Sequence, residues 1–175
     1  EKATMANVFF DGEGFKAEQL AVAQFGGKLL SDKANQYKDI DAKVPAKDGS
    51  MHSVSVKDQL WSSERYGAIQ IEMKLTNTRT GAVMNGCFPK CEAQYYFWRV
   101  WTEEHGDTWA IVQVARMKKL IEENKTSLKK WKTQEKTEAK NRSYGRSYDR
   151  AEGYVVPLEL LKSVAQLKPV EGTKQ

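Results

Sequence analysis

Three short runs in the first half of the chain alternate apolar and polar side chains, the period of a β-strand with one buried face. They cover residues 39–44, 52–57 and 68–75. The first two runs are separated by Asp48-Gly49, a dipeptide typical of tight hairpin turns. The chain must therefore build a sheet, and the polar face of its first hairpin is available for chemistry.

A helix is predicted over residues 14–25, because apolar residues recur at helical spacing and two glycines follow. Phe15, Val22 and Phe25 define its inward face, and Glu18 falls on that same face. A carboxylate there is costly unless a cation, a metal ion or a hydrogen-bond donor pairs with it. The simpler alternative is a glutamate at the edge of the apolar stripe that reaches solvent.

The second half of the chain continues the alternation of strands and helices. An aromatic and β-branched run at 93–101 predicts a buried strand, and residues 109–114 predict another. Residues 115–140 are predicted as one long charged helix, and residues 141–150 as a polar loop. This order predicts the α+β class with a mixed central sheet.

The length of 175 residues suits one domain. We predict a core over residues 1–120 and a basic extension of helices and loops over 115–175, packed on the same domain. The net charge of the whole chain is +5, but residues 116–150 alone carry a net charge of +7. Such a segment favours a polyanionic partner, DNA first, with affinity that falls steeply with salt. The candidate contacts are Lys129, Lys130, Lys132, Arg142, Tyr144, Arg146 and Arg150.

Several classes of protein are excluded or disfavoured. The chain has no phosphate-binding loop of the G-x-x-x-x-G-K-[ST] type and no G-x-S-x-G elbow. No apolar run is long enough for a membrane span, so no membrane partner is expected. Cys87 and Cys91 are too few for a disulfide framework, which favours a reducing cytoplasmic setting over a secreted one.

The remaining candidates for a catalytic or metal-binding site are acidic residues and a lysine on the predicted strands. Asp41 lies on the polar face of the first strand, and Ser55 and Lys57 lie on the polar face of the second. Because the hairpin places the two strands side by side, Asp41 and Lys57 can point to the same side of the sheet.

With Glu18 on the preceding helix, this order resembles the PD-(D/E)XK nuclease superfamily. That superfamily includes restriction enzymes, archaeal Holliday-junction resolvases, and nucleases of phage or homing type. The resemblance implies a restriction-endonuclease-like αβββαβ core in which Glu18 is the helix acid, Asp41 binds metal and Lys57 is the motif lysine. Gln59 matches a glutamine that often follows the lysine, and residues 93–101 match the next core strand.

The resemblance implies a Mg²⁺-dependent (or Mn²⁺-dependent) DNA endonuclease in the cytoplasm of a bacterial or phage-infected cell. The chain departs from the family pattern at Ser55, where the family has Asp or Glu. A hydroxyl is a weaker ligand for Mg²⁺ than a carboxylate. Glu72 would supply the missing carboxylate if its strand lay beside Ser55.

Alternatives stay open at this point. Asp58 with Glu72 and Lys74 is a second fit to the motif, less favoured because Asp58 ends a strand. The protein could also be a catalytically inactive nucleic-acid-binding protein of the same fold, for which Ser55 is the main reason. A third possibility is a phage accessory protein that binds a protein partner. A homodimer would provide two active sites for two cuts in the DNA, but no sequence feature determines the oligomeric state.

Overall fold

A computed structural model describes residues 13–173 of the chain, and side chains from Lys16 onward, so the predicted inward position of Phe15 lies outside the described side chains. The helices are α1 Glu13–Phe25, α2 Lys33–Tyr37, α3 Leu60–Tyr66, α4 Cys87–Lys90, α5 Val114–Asn124, α6 Glu135–Ser143 and α7 Leu158–Lys162. None of these helices is both long and apolar enough to span a bilayer. The strands are β1 Lys28–Leu29, β2 Ala42–Pro45, β3 Met51–Asp58, β4 Ala68–Thr76, β5 Val83–Asn85, β6 Tyr95–Thr102, β7 Gly106–Gln113, β8 Lys129–Lys132, β9 Arg150–Pro157 and β10 Gln166–Pro169.

The strands form two sheets. The larger has six strands in the order β1-β2-β3-β6-β7-β10, and the smaller has four in the order β5-β4-β9-β8. In the larger sheet β3 and β6 run parallel, while the other neighbouring pairs are antiparallel. The predicted α+β class with a mixed central sheet is therefore confirmed.

The two faces of the larger sheet are covered by different elements. Helix α1 covers one face, and its fully buried Ala17 and Ala21 belong to a cluster with Val54, Val56 and Phe97. Small residues at this contact let the helix approach the strands closely. The aromatic residues of β6 on the other face join a second cluster with the smaller sheet. A cleft between the two sheets follows from this arrangement.

The hairpin predicted from Asp48-Gly49 is confirmed. Strands β2 and β3 pair from Ala42 opposite Val54 to Pro45 opposite Met51. In the turn, the Asp48 carboxylate accepts a hydrogen bond from the Ser50 backbone N–H at 2.9 Å. Gly49 has a φ of 86°, which a residue without a Cβ adopts at little cost.

The prediction of one long helix over residues 115–140 is wrong. Helix α5 ends at Asn124, strand β8 follows, and α6 begins only at Glu135. Tertiary contacts explain the strand, because β8 pairs with β9 and the Trp131 indole N–H donates to the Ile71 carbonyl at 3.1 Å. The predicted loop over residues 141–150 also changes, since α6 extends into it and β9 begins at its end.

The C-terminal part of the chain does not form a helical extension. Strand β9 pairs with β4 along most of its length, and β10 pairs with β7 in the larger sheet. Residues 115–173 therefore supply strands to both sheets. The segment predicted as an extension is part of the same core as the preceding residues.

Candidate active site

Charged side chains from three elements meet where α1 crosses the end of the β2–β3 hairpin. They are Glu18 of α1, Asp39 and Asp41 of the segment that enters β2, and Lys57 of β3. The Lys57 ammonium donates to Asp39 Oδ1 at 2.6 Å. We call these four residues the charged cluster. It contains the three residues on which the sequence resemblance depends, Glu18, Asp41 and Lys57.

Asp41 is held rigidly by both neighbouring strands. Its backbone N–H donates to the Val54 carbonyl at 2.9 Å, and its carbonyl accepts from the Leu30 N–H at 2.8 Å. Its carboxylate reaches further along β3 and accepts a hydrogen bond from the Val56 N–H at 2.7 Å. The Asp41 carboxylate thus takes the position of a backbone carbonyl in the hydrogen-bonding pattern of the sheet. This bond holds the side chain in its orientation toward the charged cluster.

Asp39 is the functional candidate that sequence reasoning missed. Its carboxylate accepts hydrogen bonds from Lys57 at 2.6 Å and from the Ser55 hydroxyl at 3.1 Å. It is only 7% exposed, and its φ of 56° turns the chain so that both Asp39 and Asp41 face the cluster. Aspartate tolerates this backbone region better than most residues. The Asp39-Ile40-Asp41 repeat was the available signal, but the positive φ could not be read from it.

The carboxyl groups of Glu18 and Asp41 lie close enough to share a hydrogen bond. Burial raises the pKa of Glu18 to about 8, and the negative charge of Asp41 adds to the effect. Burial also raises the pKa of Asp41, although Lys57 and the Val56 N–H oppose the rise. Two carboxylates this close cannot both stay ionised without a cation between them. At neutral pH the pair therefore holds a proton or takes up a cation.

Lys57 carries the positive charge of the site. Burial by itself would lower its pKa, but the neighbouring acidic groups Asp39, Cys87 and Asp41, in that order, raise the pKa above its usual range. The side chain stays protonated at any physiological pH. It can therefore attract or neutralise an anion, whereas it is poorly suited to accept a proton.

The Glu18–Asp41 pair predicts a stability that depends on pH. Because the pKa of Glu18 is 4.5 in an unfolded chain and about 8 in the fold, the folded state binds an extra proton between these values. Its contribution is complete below pH 4.5 and is lost as the pH rises through about 8. We expect the Tm of metal-free protein to fall across this window in calorimetry. Glu18→Gln should flatten that decline, and an unchanged slope would contradict the assignment.

A cleft of about 220 Å³ opens beside Lys57 between the two sheets. It is lined by Lys57, Gln59, Gln70, Ile71, Glu72, Cys87, Phe88, Tyr96, Trp98 and Trp131. Gln59, a predicted site residue, accepts a hydrogen bond from the Gln70 N–H at 3.0 Å. The predicted residues Gln59 and Glu72 thus border the same cleft as Lys57, whereas Glu18 and Asp41 are not among the residues that line it.

Glu72 does not meet the condition under which it would replace the acid missing at Ser55. Its strand, β4, lies in the smaller sheet, while the neighbours of β3 are β2 and β6. The Glu72 carboxylate instead accepts from the Cys87 N–H at 3.1 Å. Ser55 itself is fully buried, and its hydroxyl donates to Asp39. Glu72 is therefore not positioned to act as the metal ligand predicted for it beside Ser55.

The rival motif of Asp58, Glu72 and Lys74 is not assembled. Asp58 forms an ion pair with Arg99 at 3.2 Å on the other side of β3. Lys74 is half exposed and lies 3.4 Å from Glu152. A register shift between Glu72 and Lys74 further separates the two positions. The charged cluster around Lys57 is the arrangement that the fold builds.

Among the predicted DNA contacts, the three lysines of β8 have the clearest position. Lys129, Lys130 and Lys132 are all exposed, and Trp131 between them lines the cleft beside Lys57. The basic strand therefore reaches the cleft through Trp131, while its three lysines are not among the residues that line the cleft. This arrangement was not foreseen, because the lysines were assigned to a helix.

The predicted contacts in the C-terminal segment divide into two groups. Arg142 donates to Asp149 at 2.6 Å, and Arg150 donates to Glu138 at 2.8 Å, so both are engaged within the protein. Tyr144 is exposed, and the Arg146 guanidinium lies 5.6 Å from the centre of its ring. Arg146 also donates to Asn141 Oδ1 at 2.9 Å, and both members of this second pair are exposed at the surface.

The implied cofactor, Mg²⁺, can be tested against these residues. In the part of the chain described here, no three His, Cys, Asp or Glu side chains are arranged to hold a metal ion. The Glu18–Asp41 pair still fits, because its facing carboxyl oxygens require a shared proton or cation. Mg²⁺ is commonly bound by one or two carboxylates together with substrate phosphates and water. The pair provides that donor set, with a phosphate completing it.

Comparison with known proteins adds little to this geometry. No protein-family model matches the sequence, and no curated protein is similar to it at a significant level. Among solved structures, the chain is similar to a bacterial homing endonuclease, I-Ssp6803I, with a TM-score of 0.41 and 20% identity. The match covers 59% of this chain and 68% of that one. The function proposed below depends on the site itself.

Proposed function

We propose that this chain is a Mg²⁺-dependent DNA endonuclease that hydrolyses phosphodiester bonds. The observation that carries the proposal is the meeting of Glu18, Asp41 and Lys57 in one partly buried cluster. Two carboxyl groups that take up a proton or a cation lie beside a lysine that stays charged, and Trp131 of a basic strand lines the adjacent cleft. Phosphodiester cleavage needs these three features: a metal site, a fixed positive charge and a surface for the DNA backbone.

The order of elements supports a PD-(D/E)XK type of core. Helix α1 is followed by β1, β2 and β3, then by a crossover with α3 and α4, and then by β6 parallel to β3. Apart from the short helix α2 between β1 and β2, and with β4 and β5 placed in the smaller sheet, this order is consistent with the αβββαβ core proposed here. We infer that Asp39 takes the place of the acid absent at Ser55, because the Ser55 hydroxyl donates to it at 3.1 Å.

The proposed roles follow from the electrostatics of each residue. Asp41 and Glu18 would hold Mg²⁺, which when bound lowers the pKa of water and neutralises charge on the phosphate. Lys57 would stabilise the negative charge that develops on the phosphate, since its raised pKa keeps it from acting as a base. Asp39 would hold the Lys57 ammonium in place through the 2.6 Å contact.

The decisive experiment is cleavage of supercoiled plasmid by the intact protein. We expect nicking or linearisation with Mg²⁺ or Mn²⁺ and none with EDTA. Asp41→Asn should abolish cleavage, while Lys74→Ala, which alters the lysine of the rival motif on an exposed strand position, should leave it intact. Binding without cleavage under every metal condition would favour the inactive DNA-binding alternative, for which the closed Lys57–Asp39 contact is the structural reason.

The basic strand predicts how DNA affinity depends on salt. Each lysine on a phosphate contributes about 0.9 to the slope of log K against log salt concentration. Changing Lys129, Lys130 and Lys132 to glutamine should therefore lower that slope by roughly 2–3, measured by fluorescence anisotropy at several salt concentrations. An unchanged slope would place the DNA elsewhere. Lys33→Gln, an exposed lysine on α2, is the matched control.

A further inference from the structure

The cleft beside Lys57 has aromatic walls contributed by both sheets. The rings of Phe88 and Tyr96 are parallel within 5°, with centres 5.8 Å apart, and Trp98 continues the row 5.1 Å from Tyr96. Trp131 lines the cleft from the smaller sheet and is fixed by its hydrogen bond to the Ile71 carbonyl. The volume of about 220 Å³ lies below the range of roughly 300–1,000 Å³ typical of drug-sized ligands. It suits a single planar ring system.

Tyr96, one of the residues that line the cleft, is fully buried, and its hydroxyl makes no hydrogen bond to any nitrogen or oxygen of the described residues. The hydroxyl lies beside the Cys91 thiol, a weak acceptor that does not itself line the cleft. Tyr96 therefore contributes its ring to the aromatic wall of the cleft.

The rim of the cleft carries amide and carboxylate groups. Gln59 lines the cleft and uses its side-chain carbonyl oxygen to accept from the Gln70 N–H, so its amide NH₂ is not engaged in that bond. Gln70 is exposed, and one Glu72 oxygen accepts from the Cys87 N–H while the other is not used in that bond. Donors and acceptors around an aromatic slot are the groups that recognise the edge of a nucleobase.

We propose that this cleft takes up one unstacked nucleobase of the bound DNA. The inference rests on the proposed function, which brings a DNA strand past Lys57. A backbone that follows the lysines of β8 passes Trp131, which lies both in that strand and in the cleft. The base would stack on the Trp131 and Phe88 rings, with its polar edge toward Gln59 and Glu72. The substrate class is therefore DNA with an unpaired, mismatched or easily extruded base next to the cleaved phosphate.

The test compares binding of two duplexes that differ only in one base. One duplex is fully paired, and the other has a single unpaired base at its centre. Affinity is measured by anisotropy in EDTA, so that no cleavage takes place. We expect the second duplex to bind at least about tenfold more tightly, since its base is already free of pairing. Equal affinities would overturn the proposal.

Variants assign the preference to the cleft. Trp131→Ala, and separately the Gln59→Ala/Gln70→Ala pair on the rim, should remove the preference while affinity for the paired duplex stays within about twofold. Trp61→Ala is the control, because Trp61 is 60% exposed on α3 and does not line the cleft. If Trp131→Ala fails to fold, the Gln59→Ala/Gln70→Ala double variant still tests whether the cleft is responsible for the preference. A preference that survives in folded rim variants would refute the assignment.

The outcomes separate this inference from the proposed function. Cleavage of plasmid with Mg²⁺ but no preference for the unpaired base would retain the endonuclease and reject the base pocket. A preference without cleavage under any metal condition would retain the pocket on a DNA-binding protein that is not a nuclease. Absence of both would reject both.

Discussion

Lys57→Met should lower the rate of plasmid cleavage by roughly 10²–10³-fold, the loss typical when one preorganised charge is removed from a transition state. The raised pKa of Lys57 means that the wild-type side chain is cationic throughout the accessible pH range. Methionine keeps a stem of similar length and removes the ammonium group, with both its charge and its hydrogen-bond donors. The measurement is single-turnover cleavage at saturating protein, with DNA affinity determined in parallel and expected to change little.

The Lys57→Met variant also leaves Asp39 without its ion-pair partner, which is expected to destabilise the fold. The double variant Lys57→Met/Asp39→Asn separates the two effects, because it removes both charges and should recover stability without recovering cleavage. Lys74→Met is the matched control and should cleave normally. Near-wild-type cleavage by folded Lys57→Met would remove Lys57 from the mechanism.

Gly153→Ala should destabilise the protein by roughly 3 kcal/mol, the upper part of the usual cost of overpacking. Gly153 lies in β9 between β4 and β8. A Cβ at this position would lie 1.7 Å from the Ile71 carbonyl oxygen and 2.9 Å from the Trp131 indole nitrogen. The Trp131–Ile71 hydrogen bond crosses Gly153, so the added methyl must break that bond or separate the strands.

Thermal unfolding checks this prediction. For a domain of this size, a loss of about 3 kcal/mol lowers the Tm by roughly 6–12 °C. Gly49→Ala is the comparison, since a Cβ there meets no atom within 4 Å and adds only the strain of its φ of 86°. Its cost should stay near 1–2 kcal/mol, about that of a left-handed residue. Equal costs at the two positions would contradict the steric explanation.

Local sequence patterns were sufficient to predict those elements in which the spacing of apolar residues determines the buried side. Helix α1, the β2–β3 hairpin and the aromatic strand β6 were predicted close to their observed bounds. In each case the apolar spacing and the turn residues agree with the tertiary packing. The meeting of Glu18, Asp41 and Lys57 could be predicted for the same reason. Once the buried faces of the helix and the hairpin are known, few positions remain for these three side chains.

The features that could not be predicted depend on contacts between distant segments. Asp39 faces Lys57 only because of its positive φ, and Glu72 lies in the smaller sheet only because β4 pairs with β9. Strand β8 is rich in lysine, which favours a helix, but pairing with β9 and burial of Trp131 outweigh that preference. The split of the basic segment into helix, strand and helix is therefore a tertiary effect.

Strand β8 lies at the edge of the smaller sheet, next to β9. An edge strand presents unpaired backbone groups to which another molecule can add a strand, and lysines along the edge oppose that addition through charge and hydration. Lys129, Lys130 and Lys132 are therefore expected to protect this edge from self-association, in addition to the DNA contact proposed for them. A variant with glutamine at these positions loses this protection, so size-exclusion chromatography must accompany its salt titration.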